Sequence, residues 1–167
     1  GIVGLLIKDV IDHQLSTIII VGINLMITGL LLMLIHYASK RTTREKVTLL
    51  DAILMGILQA AALLPGISRS GSTTSIAVLR KLDLKNALRF SFMMYIPASL
   101  AALVLSLRDI QFQEIFVWGY IGAFVVSLLG TFFAIKFFFR MVRKENLIYF
   151  SFYTLSVGAL LLVFFGI

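Results

Sequence analysis

Apolar positions fall along this chain in long blocks separated by short charged stretches. Leu15 to Ile35, Phe90 to Leu107, Ile115 to Ile135 and Leu147 to Ile167 each approach the ~20 residues needed to cross ~30 Å of hydrocarbon. The pattern predicts an all-α polytopic membrane protein with four transmembrane helices. Between the first two blocks lies a different object. Leu49 to Leu64 is apolar but is stopped by Pro65-Gly66, and Ile76 to Leu79 resumes for only a few residues before Arg80-Lys81. The opening run GIVGLLI, residues 1–7, is too short to span and lacks the basic region of a signal peptide. It reads as the tail of a helix begun earlier, so residues 1–167 are expected to form a single membrane domain that is the C-terminal portion of a longer protein.

Loop charge decides how such a chain threads. Lys40, Arg41, Arg44 and Lys46 against Glu45 give the first loop a net charge of +3, and Arg80, Lys81, Lys85 and Arg89 against Asp83 give the second the same. Loops of this kind stay in the cytoplasm. A single crossing by Leu49 to Leu79 would put one of them outside, so residues 49–79 are expected to form a re-entrant helical hairpin with its tip at residues 65–74. Arg108 to Glu114 sums to −1 and suits the outside; Lys136, Arg140, Arg143 and Lys144 against Glu145 suit the inside. The C-terminus then lies outside, with Trp118 and Tyr120 at the outer interface. Non-helical backbone at membrane depth is tolerated only where protein or a wet cavity surrounds it. The tip should therefore face a cavity.

Composition agrees with this class. Of 167 residues, 60% are hydrophobic and 14% charged, with a mean hydropathy of +1.02. The net charge of +7 sits beside the apolar blocks rather than forming a nucleic-acid surface, so no nucleic acid is expected as a partner. There is no cysteine, which excludes disulfides and thiolate metal sites. Histidine is limited to His13 and His36, both away from the tip and both expected to be interfacial or packing residues. The cluster from Lys136 to Lys144 reads as snorkelling cations at a helix end, with a grip on anionic headgroups as the less favoured reading.

The tip, LLPGISRSGSTTS from Leu63 to Ser75, is where polar chemistry concentrates. Arg69 offers a planar fork of donors that matches phosphate or carboxylate oxygens. Gly66 and Gly71 permit positive φ and close backbone approach, so successive N–H groups can form an anion nest. Ser72, Thr73 or Thr74 can cap a second short helix, whose N-terminal field adds to the same site. Ser68, Ser70, Ser72, Thr73 and Thr74 supply hydroxyls. The alternative is an Arg69 paired with a buried carboxylate, but Asp9, Asp12, Glu45, Asp51, Asp83, Asp109, Glu114 and Glu145 all lie near loop or segment ends. An intramembrane arginine without a partner is a functional candidate by default, here for an anion with several oxygens.

These residues also carry a resemblance. PGISRSGST, Gln59 upstream of Pro65, DAILMGILQ at Asp51 to Gln59 and FSFMMYIPA at Phe90 to Ala98 are similar to the second half of the bacterial bacitracin-resistance family of undecaprenyl pyrophosphate phosphatases. The resemblance covers nearly the whole chain. It implies a multi-pass protein of the bacterial cell membrane that hydrolyses undecaprenyl pyrophosphate to undecaprenyl phosphate, recycling a lipid carrier for cell-wall synthesis. It also implies an inverted-repeat architecture of which this chain is one half, with two hairpin tips meeting in a cavity open to the outer side. By the same resemblance Arg69 is the catalytic arginine. Ser68, Ser70, Thr73, Gly66 and Gly71 are the phosphate-binding set, with Gln59, Pro65, Ser72 and Thr74 in support.

The family's other half carries a glutamate-rich motif and a Ser-Ser-x-Gly-His stretch, and neither occurs here. A divalent cation such as Mg²⁺ or Ca²⁺ is implied, with no ligand in this chain, and the chain alone is expected to be inactive. Arg80-Lys81 and Thr154 depart from the family pattern, which favours small or apolar residues at the former and an arginine at the latter. The expected partners are a polyprenyl pyrophosphate lipid and the membrane, with a homodimer as the candidate assembly. A type-2 phosphatidic acid phosphatase would need a histidine soon after Arg69, and none follows. A transporter or flippase with a broken-helix anion site shares every physical feature of the hairpin and is the alternative.

Overall fold

The computed structural model describes residues 17–106, 117–143 and 147–165. The expectations for residues 1–7, His13, the Arg108 to Glu114 loop and Lys144 lie outside the described residues. The described chain is helical throughout: α1 (Ile18–Ser39), α2 (Leu49–Ala61), α3 (Arg69–Leu79), α4 (Leu84–Ser106), α5 (Val117–Arg143) and α6 (Leu147–Phe165). Four of these, α1, α4, α5 and α6, are long and apolar enough to cross a membrane. α2 and α3 are not, and they form a helical hairpin packed on α1 and α4.

Three helix boundaries differ from the hydropathy reading. α4 begins at Leu84, not Phe90, because Asp83 caps it: Asp83 Oδ2 accepts the amides of Lys85 and Asn86 at 3.1 and 3.3 Å. Its first turns bury Ala87 and Leu88 while Lys85 and Arg89 stay exposed, an amphipathic start that a hydropathy average passes over. α2 ends at Ala61, a few residues before Pro65. α3 begins at Arg69 rather than near Ile76, so the polar run itself is helix.

Two glycine-lined helices form the tightest contact. A Cβ on Gly158 of α6 would lie 2.8 Å from the Gly22 carbonyl oxygen of α1, the close backbone approach that small residues give membrane helices. Ser151 Oγ donates to the Gly29 carbonyl at 2.6 Å across the same interface, and Thr154 is buried there beside Gly29. α5 stands apart. It touches the rest through Phe138 and Phe139, whose rings meet Phe92 of α4 at 5.9 and 5.8 Å beside the buried Leu32, Ile35, Leu88 and Leu147. Trp118 and Tyr120 are exposed near its start, and His36 packs edge-on against Tyr37 at 5.2 Å.

The two basic loops meet at one end of the molecule, the base of the hairpin. Thr43 and Arg44 both donate their amides to the Lys81 carbonyl at 2.9 Å, and Asp83 N donates to the Arg44 carbonyl at 2.7 Å. Asp51, fully buried, fixes the base. Thr48 and Asp51 cap α2 reciprocally. One guanidinium group from each loop then reaches the same carboxylate, Arg44 with two hydrogen bonds of 3.1 Å and Arg80 with one of 2.5 Å. Burial pushes the Asp51 carboxyl up, but hydrogen bonds from Arg44, Thr48 and Arg80 outweigh it and hold the group well below the usual carboxylate range. The buried carboxylate considered as a partner for Arg69 thus exists, and it serves the base.

Candidate functional site

The tip is shaped by one turn and held by one helix. Leu64-Pro65-Gly66-Ile67 closes with Ile67 N on the Leu64 carbonyl at 3.2 Å, and Gly66 takes φ +91°. Proline second and a left-handed glycine third is the residue pattern of a type II turn. Gly66 has a further reason to lack a side chain: a Cβ there would sit 2.9 Å from the Val21 carbonyl oxygen of α1.

α1 clamps this turn with two side chains one helical turn apart. Asn24 Nδ2 donates to the Pro65 carbonyl at 2.7 Å, and Thr28 Oγ1 donates to the Gly66 carbonyl at 2.8 Å. Thr28 Oγ1 also accepts the Ser68 amide at 2.9 Å. Both residues are buried. They satisfy backbone groups that would otherwise be orphaned inside the protein. The sequence reading passed over them, although two polar residues at i, i+4 in an apolar helix were a visible signal.

Ser68 caps α3, its Oγ accepting the Gly71 amide at 3.0 Å. This corrects the expectation that Ser72, Thr73 or Thr74 would cap the helix. All three lie inside α3 and are buried. Ser72 Oγ and Thr73 Oγ1 donate back to the carbonyls of Ser68 and Arg69, at 2.9 and 3.0 Å, the local bond that lets hydroxyl residues sit within a helix. The Thr74 hydroxyl has no partner among the described residues. Gly71 is likewise helical and does not use positive φ. Its missing side chain keeps space for the cap, since a Cβ would come within 3.0 Å of Ser68 Oγ.

Arg69 is the first residue of α3, where amides remain free of helical partners and the dipole is positive. Its side chain is exposed and meets no carboxylate among the described residues. The guanidinium carbon lies 5.5 Å from the centroid of the Tyr95 ring of α4, a cation–π contact that steadies the group without neutralising it. A cavity of about 350 Å³ opens beside it, lined by Gln59, Arg69, Ser70, Thr73, Ser91, Phe92 and Tyr95. Gln59 of α2 ties to α4 through Nε2 on the Met94 carbonyl at 3.3 Å, and Thr73 Oγ1 and Ser91 Oγ lie 2.6 Å apart.

Of the expected site residues, Gln59, Arg69, Ser70 and Thr73 line the cavity. Ser68, Gly66, Gly71, Pro65 and Ser72 build the turn, cap and first helical turn behind it. Ser91 and Tyr95, on the resemblance segment but not singled out from it, join the lining. The cavity holds one fixed cation, hydroxyls, an amide and aromatic walls, with no carboxylate or imidazole. No cluster of three His, Asp or Glu side chains occurs among the described residues. This donor set suits an oxygen-rich anion and does not fit a divalent cation.

Comparison with known proteins adds an independent line. Undecaprenyl-diphosphatase 2 of Bacillus thuringiensis (strain Al Hakam) is 44% identical over 168 residues, covering 98% of this chain and 62% of the relative. Undecaprenyl-diphosphatase 1 of Bacillus licheniformis is 39% identical with the same coverage, and Undecaprenyl-diphosphatase of Carboxydothermus hydrogenoformans is 39% identical, covering 98% of this chain and 65% of the relative. The chain thus spans less than two thirds of the length of these relatives. The family model described as bacitracin resistance protein BacA matches residues 1–160, and by that match the chain belongs to the BacA bacitracin-resistance family.

Proposed function

We propose that this chain supplies the arginine side of a site that hydrolyses undecaprenyl pyrophosphate, as the names of its relatives suggest. The observation that carries the proposal is Arg69: a cation without a carboxylate partner among the described residues, at a helix N-terminus, on a cavity whose polar lining is otherwise hydroxyl and amide. In the reaction, water oxygen bonds to the terminal phosphorus, the phosphoanhydride bond breaks, and inorganic phosphate leaves undecaprenyl phosphate behind. Such transfers depend on positioning and on neutralising the equatorial oxygens more than on covalent help from the protein. The Arg69 fork would take two of those oxygens, with the Ser70 hydroxyl and the first amides of α3 beside it. Thr73, bonded to Ser91, would orient the lining where α3 meets α4.

The described cavity residues do not fit a divalent cation. The cation implied by the resemblance is proposed to draw its ligands from other residues. With the basic loops cytoplasmic, α3 rises about 16 Å from the base, roughly half the ~30 Å core. The hairpin is accordingly proposed to be re-entrant and its tip to serve a cavity reached from the outer side of the cell membrane.

Phosphate release from polyprenyl pyrophosphate by the purified full-length protein tests the proposal. Arg69→Ala is expected to lower turnover by on the order of 10²- to 10³-fold while the thermal unfolding midpoint in detergent stays put. Arg69→Lys is expected to recover little, because a point charge cannot replace the fork. Near-normal release from Arg69→Ala would sink the assignment. Retained lipid binding without release in the unaltered protein would favour the transporter.

A further inference from the structure

A second cluster of cations lies at the hairpin's base, away from Arg69. Lys85 and Arg89 of α4 and Lys136 of α5 line a cleft of about 450 Å³ whose apolar walls are Leu84, Leu88 and Phe139. Asp83 also borders it, but its carboxylate caps α4 by accepting the Lys85 and Asn86 amides. The buried Asp51 at this end is taken up by Arg44 and Arg80. Lys85, Arg89 and Lys136 pair with no acid among the described residues, leaving the cleft with three cations against one occupied carboxylate.

The cleft opens between two helices that cross the membrane. Lys136 stands one turn from Phe132, on a face of α5 that Leu128 continues. Phe124, Leu128, Phe132 and Ile135 of α5 line a second, apolar hollow of about 640 Å³. Cations at the charged end and an apolar trough running along the same helix match a molecule with an anionic head and hydrocarbon tails. We infer that the cleft of Lys85, Arg89 and Lys136 is a headgroup site for an anionic phospholipid, its phosphate held by the three cations and its acyl chains lying along α5. Basic pockets between membrane helices on the cytoplasmic side take such headgroups. The site is independent of the proposed hydrolysis.

A neighbouring hollow provides the control. Lys40, Arg41 and Lys81 line a space of about 520 Å³ at the same end, and it lies between α1 and α3, which pack directly on each other, rather than between α4 and α5.

Native mass spectrometry of the purified protein titrated with phosphatidylglycerol, against phosphatidylcholine of the same chains, reads the bound lipid. Phosphatidylglycerol adducts are expected to dominate. Lys85→Gln, Arg89→Gln and Lys136→Gln should each weaken them roughly fivefold, and the triple variant on the order of a hundredfold. Lys40→Gln/Arg41→Gln/Lys81→Gln removes equal charge and should change binding by less than about twofold, below the effect of a single headgroup cation. Equal losses in the two triple variants would mean diffuse surface charge and would overturn the site. Displacement of the lipid by inorganic phosphate alone would make it a free-phosphate site and overturn the lipid assignment. Equal uptake of the two lipids by the unaltered protein would also overturn it, whatever the variants do.

Discussion

The two ends of the α2–α3 hairpin use arginine in opposite ways. At the base, Arg44 and Arg80 converge on a fully buried Asp51, so both guanidinium groups share one carboxylate. At the tip, Arg69 leans on the Tyr95 ring and meets no acid among the described residues. The base uses the Arg44 and Arg80 charges to hold two chain segments together, whereas the tip leaves the Arg69 charge open to the ligand proposed above. Residue type alone does not separate an arginine that ties the chain together from one open to a ligand; a carboxylate partner marks the former.

The largest expected effect breaks the base. Asp51→Ala leaves two guanidinium groups without their shared carboxylate and removes the acceptor half of the α2 capping box. Losing one partner of a buried pair costs about 3–5 kcal/mol. Because both arginines are about a third exposed, at 32% and 31%, the lower end, about 3 kcal/mol, is expected. Thermal unfolding in detergent reads the loss, and an unchanged midpoint would show the base to be held by its backbone bonds alone. The sign of the pH dependence follows from the Asp51 carboxyl, whose folded pKa is depressed. Its contribution is complete above the unfolded value near ~3.9 and fades only as pH falls toward the lower folded value. Between roughly pH 5 and 8 the base should therefore show no titration.

Next comes the tip turn. Gly66→Ala places a methyl 2.9 Å from the Val21 carbonyl oxygen at φ +91°, and a strained left-handed residue costs about 1–3 kcal/mol. A destabilisation of about 2 kcal/mol is expected, together with reduced turnover, because the turn sets where Arg69 begins. Thr28→Val should cost somewhat less, about 1–2 kcal/mol, by orphaning the Gly66 carbonyl and the Ser68 amide. Thr28→Ser should restore most of it. If Thr28→Val left both stability and turnover intact, the α1 clamp would have no role in holding the tip.

The spans were legible in the sequence because a run of ~20 apolar residues has few alternatives. The first turns of α4 were not, since Lys85 and Arg89 hide a helix whose other face buries Ala87 and Leu88. The start of α3 was obscured for a related reason. Hydroxyls and glycine read as loop, yet Ser68 caps the helix and Ser72 and Thr73 bond back within it. The tip sequence and its resemblance pointed to Gln59, Arg69, Ser70 and Thr73, which the fold brings to one cavity. What no local pattern reveals is pairing over distance: Thr48 and Asp51 look like a cap from sequence, but Arg80, 29 positions on, arrives only through the fold.

The smallest expected effect sharpens the contrast by reversing its sign. Lys81, at the base, also adopts a left-handed conformation, φ 69°. It ends α3 in the pattern of a Schellman motif, with Leu82 N on the Ala77 carbonyl at 3.0 Å and Lys81 N on the Val78 carbonyl at 2.9 Å. Glycine is the usual residue there, and a side chain pays about 1 kcal/mol for the position. Gly66 cannot gain a methyl because α1 stands against it, whereas the exposed Lys81 side chain can be dispensed with. Lys81→Gly relieves the strain but gives the unfolded chain more freedom. A net stabilisation of about 0.5 kcal/mol is expected, read as a small rise in the unfolding midpoint with turnover unchanged. A fall instead would mean that the lysine side chain itself helps to hold the base, and the two left-handed residues of the hairpin would then be alike in being irreplaceable.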